Sequence, residues 1–166
     1  FTGRGELKAA LLRAALGGLP RRVLQDWSER YVSEVIPARL HPAALARIAG
    51  HREAGDHLVL MSASPDLYVP VMARVLGFDE VLCTGVGWDG DRFVGNLVTA
   101  NRQGAEKTRC LEALRTAHPG RPVTAYGNSS GDVEHLSLCE EGVYVNAGRR
   151  QVERLKALHL TLVRWH

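Results

Sequence analysis

Three observations predict an α/β fold built on a doubly wound, largely parallel sheet. Short apolar runs alternate with helical stretches from residue 41 to the end of the chain. Residues 58–77, LVLMSASPDLYVPVMARVLG, read as a strand, a small-residue turn and a helix. A later strand at 123–126 leads into a second small-residue loop, Gly127-Asn128-Ser129-Ser130-Gly131-Asp132. Ligands of such sheets sit beyond the carboxyl ends of the strands, so these two loops are where function is expected.

The elements follow in order. Residues 5–17 predict an amphipathic helix with Leu7, Ala10, Leu11, Ala14 and Ala15 on its apolar face, ended by Gly17-Gly18. A second helix follows Pro20 and runs to about Ser33, before Pro37 breaks the pattern. Pro42 opens a third, which stops at Gly55. The run 57–61 predicts a strand; Ser64 is read as a helix cap and Pro65 as part of the first turn. That helix carries Tyr68, Val71, Met72, Val75 and Leu76 on one face, and Gly77 closes it. A short strand at 80–84 precedes a hairpin at 85–98 that turns at Asp89-Gly90-Asp91. A helix at 105–117, the strand at 123–126, a helix from Asp132, a strand at 143–145, a helix at 149–158 and a last strand to Val163 complete the chain.

Composition narrows the class of function. The 166 residues, 45% hydrophobic, suffice for one good core with room for a small appendage. No stretch approaches the roughly 20 apolar residues of a membrane span. The opening Phe1-Thr2-Gly3-Arg4 has neither an initiator Met nor the order of a signal peptide, and reads as a cut end. Three cysteines without paired spacing point to a reduced, cytoplasmic protein. Residues 1–40 hold seven Lys/Arg against four acids, while the remainder balances at fourteen each. The whole excess of +3 therefore lies in the first quarter, which suits an anionic substrate or an anionic membrane surface, or a solvated helix face. No HExxH, G-x-S-x-G, Walker A or GxGxxG pattern occurs.

Three places carry candidate chemistry. A strand feeding a helix through hydroxyl residues leaves backbone N–H groups at a positive helix terminus, an anion site in which the Ser62 hydroxyl and the Ala63 N–H are the expected donors. An ordinary α/β turn has the same appearance. Lys107 lies three, four, seven and ten positions before Cys110, Leu111, Leu114 and Ala117, in register with their apolar stripe. A charge there is costly without an anionic partner, so Lys107 is read either as a phosphate ligand or as a snorkelling side chain. Asn128 and Asp132 offer oxygens to a hard cation such as Mg²⁺, with turn formation and helix capping as the plain alternative.

Taken in order, these pieces resemble the haloacid dehalogenase superfamily of phosphohydrolases, in the branch with an early helical cap that includes phosphoserine phosphatase-like enzymes. LVLMSAS with Ser62 is similar to its second motif, GAEKTRCLEAL with Lys107 to its third, and GNSSGDVEHL to its fourth. The hairpin WDGDRFVGNL and the VYVN strand also look like this branch. The resemblance implies a Rossmann-like core over residues 41–166 and the trailing part of a helical cap over 1–40. It implies Mg²⁺ as cofactor, held by Asp132 and Asn128, with phosphoryl oxygens held by Ser62, Ala63 and Lys107. A small phosphorylated metabolite is the implied substrate, and no nucleic-acid partner is expected. Two departures stand out. No D-x-D-x-T strand, source of the phosphoryl-accepting aspartate, is present, so the core is expected to lack its first strand and the chain to be a fragment. The leading aspartate of the fourth motif is Asn128, one negative charge fewer for a metal. A phosphatidylglycerophosphate-type lipid phosphatase and a non-catalytic phosphate-binding domain are the alternatives.

Overall fold

The structure, a computed structural model, describes residues 3–165. It is a mixed α/β fold with parallel strand pairs, as the alternating pattern predicts. The chain forms two compact units, residues 1–102 and 103–166.

The first unit opens with helices α1 (Gly3–Leu16) and α2 (Arg21–Arg30). A π-helical turn, Tyr31–Val35, extends α2, and α3 (Pro42–Glu53) follows. Strand β1 (Val59–Pro65) pairs in parallel with β2 (Glu80–Thr84), and α4 (Val69–Leu76) makes the crossover. The predicted hairpin is formed by β3 (Val86–Asp89) and β4 (Arg92–Leu97), with Gly90 in the left-handed region at its tip. Leu24, Val86 and Phe93 form the core here, with Leu12, Leu16, Leu19 and Trp88 packed around them. At Gly95 a Cβ would lie 2.7 Å from the Arg13 Cα, and φ is +81°. Glycine lets β4 run directly against α1.

Three local expectations are corrected. The covered side of α1 is Gly5, Lys8, Ala9, Leu12 and Leu16, whereas Leu7 and Leu11 are each 61% exposed. Two apolar stripes share this helix, and the core formed with the hairpin takes the one carrying Leu12 and Leu16. Second, β1 does not stop at Met61; it runs to Pro65, and α4 begins only at Val69 with Pro70 in its first turn. Pro70 explains this, because a proline deep inside a helix removes a hydrogen bond and clashes, while the first turn tolerates it. Ser64 is thus a strand residue and caps nothing. Third, α4 buries Val69 and Ala73 and leaves Val75 exposed, a rotation of the expected face.

In the second unit, α5 (Ala105–Ala117) precedes a three-stranded parallel sheet ordered β5 (Thr124–Gly127), β6 (Glu141–Val145), β7 (Thr161–Val163). The connections are the single turn α6 (Val133–Leu136) and α7 (Val152–Ala157). The core is Leu136, Tyr144, Ala147, Leu155 and Leu160. Helix α5 buries Cys110 and Leu111, as its stripe predicts, although Ala117 is exposed. Among the described residues, no helix is long and apolar enough to cross a membrane.

Candidate functional site

The Ser62 segment is a bulge. Met61 pairs with Leu82 and Pro65 with Thr84, so Ser62, Ala63 and Ser64 stand opposite Cys83 alone. Bulges of this kind release backbone groups from the ladder and re-aim side chains, and they concentrate near functional sites. The released groups find local partners. The Ser64 N–H donates to Ser62 Oγ at 3.1 Å, and the Thr84 hydroxyl donates to the Ala63 carbonyl at 2.8 Å. Thr84 is fully buried. The Lys8 ammonium, brought from α1, also donates to the Ala63 carbonyl, at 2.5 Å, and to the Asn101 side-chain oxygen. Burial holds Lys8 below the ordinary lysine value. Downstream of the bulge, Asp66 accepts the Val86 N–H at 3.1 Å and so ties β1 to β3. Burial pushes its carboxyl up, against the Val86 hydrogen bond and the charge of Arg21.

The second unit brings Lys107, Asn128 and Asp132 together. Lys107 Nζ lies 2.5 Å from Asp132 Oδ1, and the two side chains are 15% and 8% exposed. The partner that a charge on this stripe requires is therefore Asp132. Asp132 Oδ2 accepts the N–H groups of Asn128 and Ser129, at 3.2 and 3.0 Å, and the Ser129 hydroxyl at 2.7 Å. Its side chain caps no helix: it reaches back into the loop and leaves α6 without a side-chain cap. Burial by itself would raise the Asp132 carboxyl. The hydrogen bonds from Lys107 and Ser129 and the charge of Lys107 outweigh it and hold the group below the usual carboxylate value.

One buried residue holds this loop and another lies near its charges. The Tyr144 hydroxyl donates to the Asn128 carbonyl at 3.1 Å. His135 is kept below its ordinary value, first by burial and then by the charge of Lys107, and its Nδ1 has no hydrogen-bond partner among the described residues. The Asn128 side chain is exposed. Asn128 and Asp132 offer only oxygen donors, the type a hard cation such as Mg²⁺ takes, while here both Asp132 carboxylate oxygens are engaged by Lys107, Asn128 and Ser129.

Sequence reasoning missed Lys8, Thr84, Asn101 and Tyr144. A signal for Lys8 does exist, since it stands four and eight positions before Leu12 and Leu16 on the covered side of α1. Thr84 and Asn101 acquire their roles only through the bulge, which no spacing marks.

Fold and site together define a parallel α/β protein with a lysine–aspartate pair at a loop beyond β5. Residues 1–137 match the family model described as haloacid dehalogenase-like hydrolase. The chain belongs to the haloacid dehalogenase-like hydrolases. It is 34% identical over 142 residues to protein CicA of Caulobacter vibrioides, covering 85% of this chain and 64% of that protein. It is 28% identical over 124 residues to phosphoserine phosphatase SerB1 of Mycobacterium tuberculosis, covering 74% of this chain and 40% of that protein. The chain thus spans less than two thirds of these curated relatives. Among solved structures, a Bordetella pertussis protein of unknown function matches with a TM-score of 0.81 at 20% identity, covering 96% of this chain and 72% of that one. A probable phosphoserine phosphatase from Vibrio cholerae matches with a TM-score of 0.69 at 17% identity, covering 91% and 44%. At these identities the structural likenesses show the fold alone.

Proposed function

We propose that this protein is a Mg²⁺-dependent phosphomonoester hydrolase of the phosphoserine phosphatase-like type. The observation that carries the reading is the buried Lys107–Asp132 pair beneath the loop of Asn128, in a chain of this hydrolase family. An ammonium held by a carboxylate is fixed in position, which is what stabilising a transferring phosphoryl group requires. Asp132 sets the position of Lys107 through one oxygen and shapes the Asn128–Ser129 turn through the other.

Within the first unit, the Ser62 hydroxyl accepts the Ser64 N–H through its oxygen. Its own proton is then available for donation to an anionic oxygen, and the Ala63 N–H is the second donor we assign. Mg²⁺, when held by Asp132 and Asn128, would neutralise phosphoryl charge as a Lewis acid. In this reading the substrate is a small phosphorylated metabolite. The helices within residues 1–40 are assigned to the trailing part of the family's helical cap.

The test is hydrolysis of a phosphomonoester panel by the protein at its natural length, with Mg²⁺ and then with EDTA, beside Lys107→Ala. Turnover abolished by EDTA and by the substitution supports the reading. A folded protein that turns over none of the panel, yet binds inorganic phosphate, would replace it with a non-catalytic phosphate-binding domain.

A further inference from the structure

Lys8 carries a charge whose placement is unexplained by folding. Helix α1 buries no residue fully, so a lysine on it has solvent within reach. The Lys8 side chain instead crosses to the β1 bulge, 55 residues away, and donates to the Ala63 carbonyl. Its other partner, Asn101, is 93 residues away and equally neutral. No carboxylate answers this ammonium among the described residues, and burial holds its pKa below the ordinary lysine value. A half-buried ammonium with only neutral partners is undercompensated, and the natural completion is an anion. Lysine has three N–H donors, and two are spent on Ala63 and Asn101. The third is left for a group lying next to Ser62.

We infer that Lys8 is a second phosphate-binding ammonium, which contacts the same phosphoryl group that Ser62 and Ala63 hold. The inference rests on the phosphatase reading for its substrate, and adds a residue from helix α1 to the Ser62–Ala63 anion site. Its partner chemistry is the phosphoryl oxygen itself, so its effect extends to every phosphomonoester and to inorganic phosphate.

The experiment compares Lys8→Met, which keeps the length and apolar stem, with Lys8→Arg, which restores the charge. Arg30→Ala serves as a control for charge alone, since Arg30 is an exposed helix residue paired with Glu34. Inorganic phosphate affinity is measured by calorimetric titration, and kcat/KM on p-nitrophenyl phosphate and on an ester bearing a second anionic group. We expect Lys8→Met to weaken phosphate binding by about tenfold or more, with a similar fall in kcat/KM on both esters, as befits a lost charge-assisted hydrogen bond. Lys8→Arg should recover much of both, and Arg30→Ala should change neither. Unchanged phosphate affinity in Lys8→Met, an equal loss in Arg30→Ala, or a loss confined to the doubly anionic ester would each overturn the inference. If the unaltered protein hydrolyses neither ester but binds phosphate in a Lys8-dependent way, the phosphatase reading fails and the inference stands.

Discussion

Lys107 Nζ and Asp132 Oδ1 lie 2.5 Å apart, while Oδ2 of the same carboxylate gathers three donors from Asn128 and Ser129. One side chain therefore fixes both the first turn of α5 and the loop beyond β5. Removing the lysine leaves a buried carboxylate without its counter-charge. Lys107→Ala should destabilise the protein by on the order of 3 kcal/mol in a urea titration. It should also lower kcat on phosphomonoesters by about a hundredfold or more. Wild-type stability in this variant would show that the pair is not the anchor of the loop.

Acid should unfold the protein in two stages. His135 sits below its ordinary value of 6.5 in the folded state, so only the unfolded chain takes up a proton near that pH. Its contribution is complete above 6.5 and declines as pH falls below it. Asp132 is held below 3.8, so its contribution is complete above 3.8 and is lost as pH drops toward its lowered folded value. Urea midpoints at about pH 7.5, 5.5 and 3.5 would trace this. His135→Leu should flatten the first stage alone; an unaltered acid profile in that variant would remove His135 from the account.

Gly127 and Gly131 flank the same loop with opposite tolerance. A Cβ at Gly127 would meet the Asp132 Cβ at 2.6 Å, whereas at Gly131 the nearest atom lies 3.6 Å away. Gly127→Ala should cost about 1–3 kcal/mol by displacing Asp132. Gly131→Ala should stay within about 0.5 kcal/mol of the unaltered protein. Thermal melts of the two variants check this, and equal melting temperatures would refute it.

Tyr144→Phe removes the hydroxyl that holds the Asn128 carbonyl and keeps the ring in its buried place. A loss of about 1 kcal/mol is expected. Faster amide exchange at Asn128 and Ser129 should accompany it. Unchanged exchange at both amides would show that the loop is held by Asp132 alone.

The thiols of Cys83 and Cys139 are pushed up to about 11, in both cases chiefly by burial. Neither forms much thiolate near neutrality, and the thiolate is the reactive species. Iodoacetamide at about pH 8 should label both far more slowly than a free cysteine. Rapid alkylation of either in the folded protein would contradict this.

The sequence by itself determined the order of elements, the parallel α/β class, the hairpin, and the register of Lys107 with Cys110 and Leu111. Each of these depends on local periodicity, turn residues and spacing, which are properties of the chain read along its length. It also reduced Lys107 to two readings, an ammonium with an anionic partner or a snorkelling side chain, because an unpaired ammonium on a buried stripe is costly wherever the stripe packs. Which carboxylate answers it was a matter for the tertiary structure. Asp132 looks like a helix cap in sequence, yet three loop donors and Lys107 draw its side chain the other way. The packed face of α1 was settled in the same manner, since two stripes compete and only the core of Leu24, Val86 and Phe93 chooses between them. That choice turns Lys8 inward to the bulge at Ala63. Contacts between residues 55 positions apart depend on how strands and helices close on one another, and local pattern holds no information about that closure.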